Sequence, residues 1–286
     1  MIPAILGIAG PVLLPEERAL FAKYPPRGVI LFGRNIIDPA QLAELVGALR
    51  AALPEGAVLM VDQEGGRVAR LRPPHWPALP AAGTLADEAA AYAHGRALGA
   101  MVRQAGFDVA AAPVLDLRHP GASDVVGDRA ISGDATRVAA LGRRIADGIT
   151  AEGVIPVMKH LPGHGWAKVD SHVLLPYVEK TDLEADLLPF RFNSDLLWGM
   201  TAHIVYAVYD SERPATLSRT VIDRIIRGKI GFKGVLVSDD LAMKELSGSP
   251  AALALAARAA GCDIALYCPG DLPGNTAILE TLHAAD

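Results

Sequence analysis

Residues 134–165 read DATRVAALGRRIADGITAEGVIPVMKHLPGHG, and this stretch contains the unit from which the fold is predicted. A helix-like segment begins at Asp134 and ends at Glu152, and Gly153 follows it directly. The next residues, 154–158, are apolar and lead into a loop rich in polar side chains. Because a glycine after the last helical turn supplies a left-handed cap, the stretch predicts a helix, a tight connection and a buried strand.

The same unit recurs along the whole chain. Strand candidates begin near Ala4, Gly28, Val58, Asp108, Val154, Leu197, Gly234 and Asp263. Helix-like segments between them include 39–53, 134–152, 182–190, 219–229 and 250–260, and glycines lead from helix to strand at Gly106, Gly153, Gly231 and Gly261. Eight β units separated by helices predict an α/β fold, a (β/α)8 TIM-type barrel forming one domain over residues 1–286, with a doubly wound open sheet as the alternative.

The composition indicates a well-buried globular protein. The chain has 286 residues, of which 51% are hydrophobic, and this length suits a single α/β barrel. Its 27 Lys and Arg against 32 Asp and Glu leave a formal net charge of −5. Because phosphate binding needs clustered Lys and Arg, and none cluster here, we expect no nucleic-acid partner. We also expect a monomer.

The apolar segments and the cysteines bear on cellular location. No apolar run approaches the roughly eighteen residues that would cross a bilayer, so we expect no membrane partner. Residues 1–10 are apolar but lack a basic leading segment, which favours a core strand over a signal peptide and a cytoplasmic location. Cys262 and Cys268 would lie roughly 20 Å apart on an extended strand and could not bridge each other. Two unpaired thiols agree with a reducing compartment.

Polar residues gather where the predicted strands end. In a (β/α)8 barrel, the loops after the carboxyl ends of the strands carry the chemistry. Four strands lead into polar runs, at 33–35, 62–67, 159–165 and 238–240. The sequence therefore predicts one active face built from these runs.

The loop 159–172 admits two chemical interpretations. His160 and His164 have the i, i+4 spacing of a helical zinc motif, but a proline and a glycine lie between them and would break that helix, so a catalytic metal is disfavoured. Asp170 and His172 are two residues apart, which would let the carboxylate orient the imidazole for acid–base work. A solvated loop explains the same spacing.

Asp239 and Asp240 close the seventh predicted strand. Since strand side chains alternate, only one of these two aspartates can point into the barrel mouth. A carboxylate at that position serves as a nucleophile or stabilises a cation. Alternatively, the two are ordinary acids at a strand end, and one of them caps the next helix. Spacing does not choose between them. Asp62, Arg70 and Arg129 could complete a pocket for paired sugar hydroxyls, or each could form a surface ion pair.

Taken together, these segments resemble glycoside hydrolase family 3, and within it the single-domain β-N-acetylhexosaminidases. The resemblance runs from about Gly28 to Gly270 and is most specific in the loop after the fifth strand. It is carried, in order and spacing, by GVILFGRN (28–35), DQEGGRV (62–68), KHLPGHG (159–165) with DSH (170–172), MTAH (200–203), PATLS (214–218) and VSDDL (237–241). The resemblance implies a barrel that removes terminal β-linked N-acetylglucosamine from cell-wall muropeptides during peptidoglycan recycling in the cytoplasm, without a metal or organic cofactor.

The resemblance also implies roles for individual residues. Asp239 matches the nucleophile that forms a covalent glycosyl-enzyme, His172 matches the acid/base and Asp170 matches its polarising partner. A second group matches the residues that bind the terminal sugar: Asp62, Arg70, Arg129, Lys159 and His160. His203 lies in a family motif, and it could be either a functional residue or a core histidine with its hydrogen bonds satisfied.

The chain departs from the family pattern at three points. Trp166 stands where relatives usually carry an acid or a small polar residue, and this change bears on loop mobility and on the leaving group. Ala130 and Ile131 replace a more usual Ser-Phe pair. The chain ends at Asp286, earlier than typical relatives, so we expect the last helix to be shortened or rebuilt.

Four alternatives stay open on the sequence. Some family relatives transfer the sugar to phosphate rather than water, and a β-glucosidase would share the fold. A non-catalytic sugar-binding sensor could use the same barrel, although Asp170, His172 and Asp239 argue against it. The fourth alternative, and the least favoured, is a hydrolase that depends on a metal ion.

Overall fold

The computed structural model describes residues 1–121, 124–167, 175–243 and 246–285. This part of the chain forms ten strands: β1 (Ile2–Gly7), β2 (Pro26–Leu31), β3 (Val58–Val61), β4 (Val109–Ala110), β5 (Ile155–Leu161), β6 (Tyr177–Val178), β7 (Trp198–Thr201), β8 (Val205–Tyr206), β9 (Val235–Asp240) and β10 (Ile264–Tyr267). Eight of them close into a parallel barrel in the order β1, β2, β3, β4, β5, β7, β9 and β10, while β6 and β8 form a separate two-stranded sheet. The predicted barrel is confirmed, and each barrel strand starts within two residues of its predicted position.

Helical segments follow the barrel strands and cover their outer face. They are α1 (Pro15–Lys23), α2 (Pro39–Ala52), α3 (Glu88–Gln104), α4 (Ala135–Ala151), α5 (Glu184–Phe192), a π-helix (Val221–Lys229), α6 (Pro250–Ala260) and α7 (Leu272–Ala285). Asp134 caps α4 by accepting the N–H groups of Thr136 and Arg137, which is why that helix begins where the sequence predicts. Gly153, just past its end, has φ 75°, the left-handed conformation that its predicted capping role requires.

Strand β5 extends further than its apolar run predicts. Residues 154–158 are the apolar part, yet the strand continues to Leu161. The added residues pair with the segment beyond β4: Lys159 N–H donates to Pro113 O, and Leu115 N–H donates to Lys159 O. Lys159 and His160 therefore belong to the strand end rather than to a loop, and the peptide bond between them is cis.

Alternate residues of the barrel strands fill the interior. Their side chains form one buried cluster that includes Ile30, Met60, Val157, Val237 and Leu266. Because strand side chains alternate, the residues two positions beyond continue the inward row at the carboxyl ends of the strands. These residues are Phe32, Asp62, Lys159, Asp239 and Cys268.

The opposite end of the barrel is held by carboxylates that tie strand starts together. Asp263 Oδ2 accepts the N–H of Leu236 at 2.7 Å and a guanidinium N–H of Arg227 at 2.8 Å. Asp108 Oδ2 makes the same pair of contacts with Leu59 N–H and Arg50, both at 2.7 Å. This face thus serves stability, as expected for the amino ends of barrel strands.

The structure agrees with the expectations that the two cysteines do not form a disulfide and that no helix of the described residues could cross a bilayer. Cys262 and Cys268 are both buried free thiols, so they do not bridge each other. None of the helices in the described part of the chain combines the length and the apolarity that crossing a bilayer requires. The last helix, α7, is formed and includes the buried side chains of Ile278, Leu279 and Leu282.

Candidate active site

A cavity of about 220 Å³ opens at the carboxyl ends of the barrel strands. Six sequence-predicted site residues line it together: Asp62, Arg70, Arg129, Lys159, His160 and Asp239. The remaining walls include Phe32, Val68, Met200, Met243, Leu266 and Cys268. The predicted pair Asp170 and His172 lies outside the residues that the structure describes.

Asp62 lies at the end of β3, where two cations reach its carboxylate. Lys159 Nζ is 3.0 Å from Asp62 Oδ1, and an Arg70 guanidinium nitrogen is 3.1 Å from Asp62 Oδ2. Burial alone would raise the pKa of Asp62, but the charges of Lys159 and Arg70 outweigh it and hold that pKa well below its usual range. Asp62 is therefore an ionised acceptor at neutral pH.

Glu64 is a buried carboxylate that the sequence analysis did not single out. Its Oε1 lies 2.6 Å from Lys159 Nζ, and its two oxygens accept the Arg129 fork at 2.8 and 2.9 Å. Burial would raise the pKa of Glu64, but Lys159 and Arg129 lower it below its usual value. Arg129 and Lys159 thus belong to a buried network rather than to surface ion pairs. The only feature of the sequence that could have identified Glu64 as a site residue was its position in the polar run 62–67 after β3.

Asp116 is the second buried carboxylate that the sequence analysis missed. It is fully buried behind the cavity, where its Oδ2 lies 2.7 Å from His160 Nδ1. Its Oδ1 accepts the backbone N–H groups of His160 and His164, at 3.1 and 2.8 Å. Burial would raise the pKa of Asp116, but His160 lowers it to about 2. The His164 ring is itself buried, and this burial lowers the pKa of His164 to about 4, so the ring is neutral at pH 7.

The structure gives Asp239 and Asp240 different environments. Asp239 continues the inward row of β9; burial would raise its pKa, but His203 and His160 lower it below the usual value. Asp240 Oδ1 accepts the N–H groups of Ala242 and Cys268, both at 3.0 Å, and burial raises its pKa. Of these two neighbours, Asp239 is therefore the ionised carboxylate that lies on the inward row, while Asp240 holds backbone N–H groups in place.

His203 is a core histidine with its hydrogen bonds satisfied. It is fully buried, with Nδ1 2.7 Å from Thr216 Oγ1 and Nε2 donating to Asp240 O at 2.9 Å. It does not line the cavity. Its contribution to the site is indirect, since it lowers the pKa of Asp239.

Trp166, the first departure from the family pattern, is part of an anchored cluster. Its ring stacks on His119 with centroids 3.8 Å apart, and its Nε1–H donates to Asp186 Oδ2 at 3.0 Å. His119 Nε2 lies 2.8 Å from the other Asp186 oxygen, and Lys180 Nζ lies 4.2 Å from the Trp166 ring. The chain is therefore held on both sides of residues 168–174. Ala130 and Ile131, the second departure, are simply buried.

No metal centre is formed by the described residues: none of their His, Cys, Asp and Glu side chains come together in a group of three that could hold an ion. The rings of His160 and His164 lie 5.6 Å apart and edge-on, and the backbone of both residues is held by Asp116. The helical zinc spacing is not realised, since β5 ends at Leu161.

Comparisons with known proteins agree on one family. Residues 13–285 match the glycosyl hydrolase family 3 N-terminal domain. A beta-hexosaminidase of Pseudomonas aeruginosa is 42% identical over 274 residues, which cover 92% of this chain and 81% of the relative. The crystal structure of NagZ from Neisseria gonorrhoeae in complex with N-trifluoroacetyl-D-glucosamine is 34% identical with a TM-score of 0.89, covering 99% of this chain and 84% of that one.

A glycoside hydrolase family 3 beta-N-acetylglucosaminidase from Paenibacillus sp. is also similar, at 32% identity and a TM-score of 0.92. The match covers 99% of this chain and 56% of that one, so this chain spans just over half of the Paenibacillus protein. A closed (β/α)8 barrel with ionised carboxylates and cations around a cavity at its carboxyl end, together with these relatives, defines a glycoside hydrolase. The chain belongs to glycosyl hydrolase family 3.

Proposed function

We propose that this protein is a retaining exo-β-N-acetylglucosaminidase. The observation that carries the proposal is Asp239, an ionised carboxylate on the inward row of β9 at a small cavity ringed by hydrogen-bonding groups. The names of the relatives support the choice of sugar, since they include a beta-hexosaminidase and a beta-N-acetylglucosaminidase. The solved NagZ complex contains an N-acylated glucosamine, which points to the same substrate class.

The proposed reaction is a double displacement. Asp239 attacks the anomeric carbon and forms a covalent glycosyl-enzyme, while His172 donates a proton to the departing glycosidic oxygen. His172 then takes a proton from water, the water oxygen bonds to the anomeric carbon, and the Asp239 carboxylate leaves. Asp170 supports the imidazolium form of His172. Two inversions leave the product with the β configuration of the substrate.

The proposed sugar site consists of Asp62, Arg70, Arg129, Lys159 and His160. Hydroxyl groups both donate and accept hydrogen bonds, and this set contains anionic acceptors as well as cationic donors. The cavity of about 220 Å³ is smaller than the roughly 300–1,000 Å³ of pockets for drug-sized ligands, so it suits one sugar ring. This size favours removal of a single terminal residue over cleavage inside a chain.

The biological setting is proposed by analogy with the family. We propose that the substrates are muropeptides released from peptidoglycan, that the enzyme works in the cytoplasm as a monomer, and that residues 1–286 act as one catalytic domain. No cofactor takes part in the proposed reaction.

One comparative assay tests the activity. Turnover of an aryl N-acetyl-β-glucosaminide is measured beside the matching glucoside, each with and without phosphate, and the configuration of the first product is followed by NMR. We expect hydrolysis of the N-acetylated substrate alone, unchanged by phosphate, with the β anomer formed first. Comparable glucoside turnover indicates a β-glucosidase, and a sugar phosphate product indicates a phosphorylase. Loss of activity with a chelator indicates a metal-dependent hydrolase, and no turnover supports a binding protein.

A further inference from the structure

The segment beyond β4 places a buried carboxylate directly behind a cavity wall. Val114 pairs with Lys159, and this pairing brings Asp116 against the end of β5. Asp116 has no solvent exposure, and its Oδ1 accepts the backbone N–H groups of both His160 and His164. One carboxylate oxygen thus holds both ends of the turn from His160 to His164.

The other carboxylate oxygen determines how the His160 ring is protonated. Asp116 Oδ2 lies 2.7 Å from His160 Nδ1, and an ionised carboxylate can only accept a hydrogen bond. Nδ1 must therefore carry a hydrogen. In the neutral ring the second nitrogen, Nε2, then has a free lone pair, so it is an acceptor. His160 lines the cavity, whereas Asp116 does not.

We propose that Asp116 is a positioning residue that fixes the Nδ1–H tautomer of His160, so that Nε2 accepts a hydrogen bond from a hydroxyl of the terminal sugar. This inference rests on the proposed function, because it names how one wall of that sugar site recognises its substrate. Lys159, Arg70 and Arg129 are donors, and a hydroxyl that accepts from one of them still has its own hydrogen to donate. In its neutral Nδ1–H form, the His160 ring offers Nε2 as an acceptor for such a hydrogen.

The variant Asp116→Asn tests the tautomer without changing the shape of the side chain. The amide oxygen can still accept the two backbone N–H groups, but the amide nitrogen donates to Nδ1 and forces the hydrogen onto Nε2. The same replacement behind a protease histidine inverts its tautomer and severely lowers its activity. We expect kcat/KM to fall at least about tenfold and the affinity for N-acetylglucosamine to fall with it.

Nitrogen-15 NMR of the histidine rings is the direct readout, recorded where the rings are neutral and assigned by comparison with His160→Phe. In the wild-type protein we expect His160 to be protonated at Nδ1, and in Asp116→Asn at Nε2. The wild-type spectrum needs no variant to fold and no substrate. A wild-type His160 protonated at Nε2 overturns the proposal even when the enzyme hydrolyses N-acetylglucosaminides.

A double-mutant cycle separates positioning from general support of the barrel. If Asp116 acts through His160, Asp116→Asn causes no further loss of sugar affinity in the His160→Phe background. A full additional loss in that background shows that Asp116 only supports the barrel, and unchanged affinity in the single variant also overturns the proposal. Wild-type protein that neither binds nor cleaves the sugar contradicts the proposed function instead.

Asp263→Asn is the matched control. It makes the same carboxylate-to-amide change at a residue that also accepts a backbone N–H, but at the opposite end of the barrel. We expect a lower denaturation midpoint, with kcat, KM and the His160 tautomer unchanged. Equal kinetic losses in Asp263→Asn and Asp116→Asn show that the loss reflects barrel stability and overturn the proposal.

Discussion

Glu64 holds Arg129 through two parallel hydrogen bonds, of 2.8 and 2.9 Å. The same carboxylate lies 2.6 Å from Lys159 Nζ, so one buried anion orients two of the cations proposed to bind the sugar.

We expect Glu64→Gln to reduce the free energy of unfolding by about 1–3 kcal/mol, because two buried cations lose their shared charge partner. Affinity for N-acetylglucosamine falls as well. Chemical denaturation and calorimetry measure the two effects; unchanged values for both would show that Asp62 and the cavity suffice to orient Arg129 and Lys159.

Arg129→Ala and Lys159→Ala test the sugar site directly. Each should weaken binding of N-acetylglucosamine and also lower kcat, since contacts to a distorted sugar strengthen toward the transition state. Calorimetry and steady-state kinetics check this, with Arg227→Ala at the far end of the barrel as the control for losing a guanidinium that is paired with a carboxylate. Unaltered sugar affinity in both variants would place the pocket elsewhere.

The neighbours Asp239 and Asp240 should respond differently to the same change. Asp239→Ala is expected to lower kcat at least about 10⁴-fold while the protein stays folded, because the proposed nucleophile is lost from a solvent-facing barrel mouth. Asp240→Ala leaves the N–H groups of Ala242 and Cys268 without their acceptor and should cost about 1–3 kcal/mol of stability. Circular dichroism and turnover distinguish them. A slow fluorinated substrate that labels Asp240 instead of Asp239 would reverse the assignment.

His172→Ala should separate proton transfer from loop support through its dependence on the leaving group. A general acid matters most for a poor leaving group, so kcat/KM should fall roughly 10²–10⁴-fold on a disaccharide and far less on an activated aryl glycoside. With the activated substrate the glycosyl-enzyme should accumulate, and azide should restore turnover as a β-glycosyl azide. Uniform losses with neither a burst nor an azide product mean that another residue carries the proton.

Burial of His164 makes stability depend on pH below neutrality. Its pKa is lowered from 6.5 to about 4 in the folded protein, so between these values the unfolded chain binds more protons than the folded one. The neutral His164 ring therefore does not reduce the free energy of unfolding above pH 6.5. As the pH falls from 6.5 toward 4, this group lowers the free energy of unfolding by roughly 3 kcal/mol. Burial also lowers the pKa of His94, which adds to the same decrease.

Urea denaturation at pH 7.0 and pH 4.5 checks this dependence. We expect the difference in unfolding free energy between the two pH values to be smaller in His164→Gln, because the glutamine cannot take up a proton. His75→Gln is the control, since His75 is exposed. An identical difference in wild type and His164→Gln would show that His164 is not the group that destabilises the fold in acid.

Regular patterns in the sequence determined the barrel and the face that carries its site. Apolar runs and the glycines before them predicted the eight strand starts, because burial and backbone conformation are local requirements of each unit. The polar runs at the strand ends then had to meet at one rim, since parallel strands share their direction. The roles that we propose for Asp239 and His172 come from the resemblance to family 3, because no spacing in the sequence distinguishes them.

Only the tertiary structure decided which aspartate faces inward and which carboxylates hold the cations. Strand β9 is buried on both faces, so its apolar run does not reveal its orientation; the place of Val237 in the barrel interior shows that Asp239 points inward. Asp116 lies 44 residues from His160, and Glu64 lies 65 residues from Arg129. No local periodicity reports such distant partners. Closure of the barrel brings distant strand ends together, and burial then requires each carboxylate to be paired with a cation or with N–H groups.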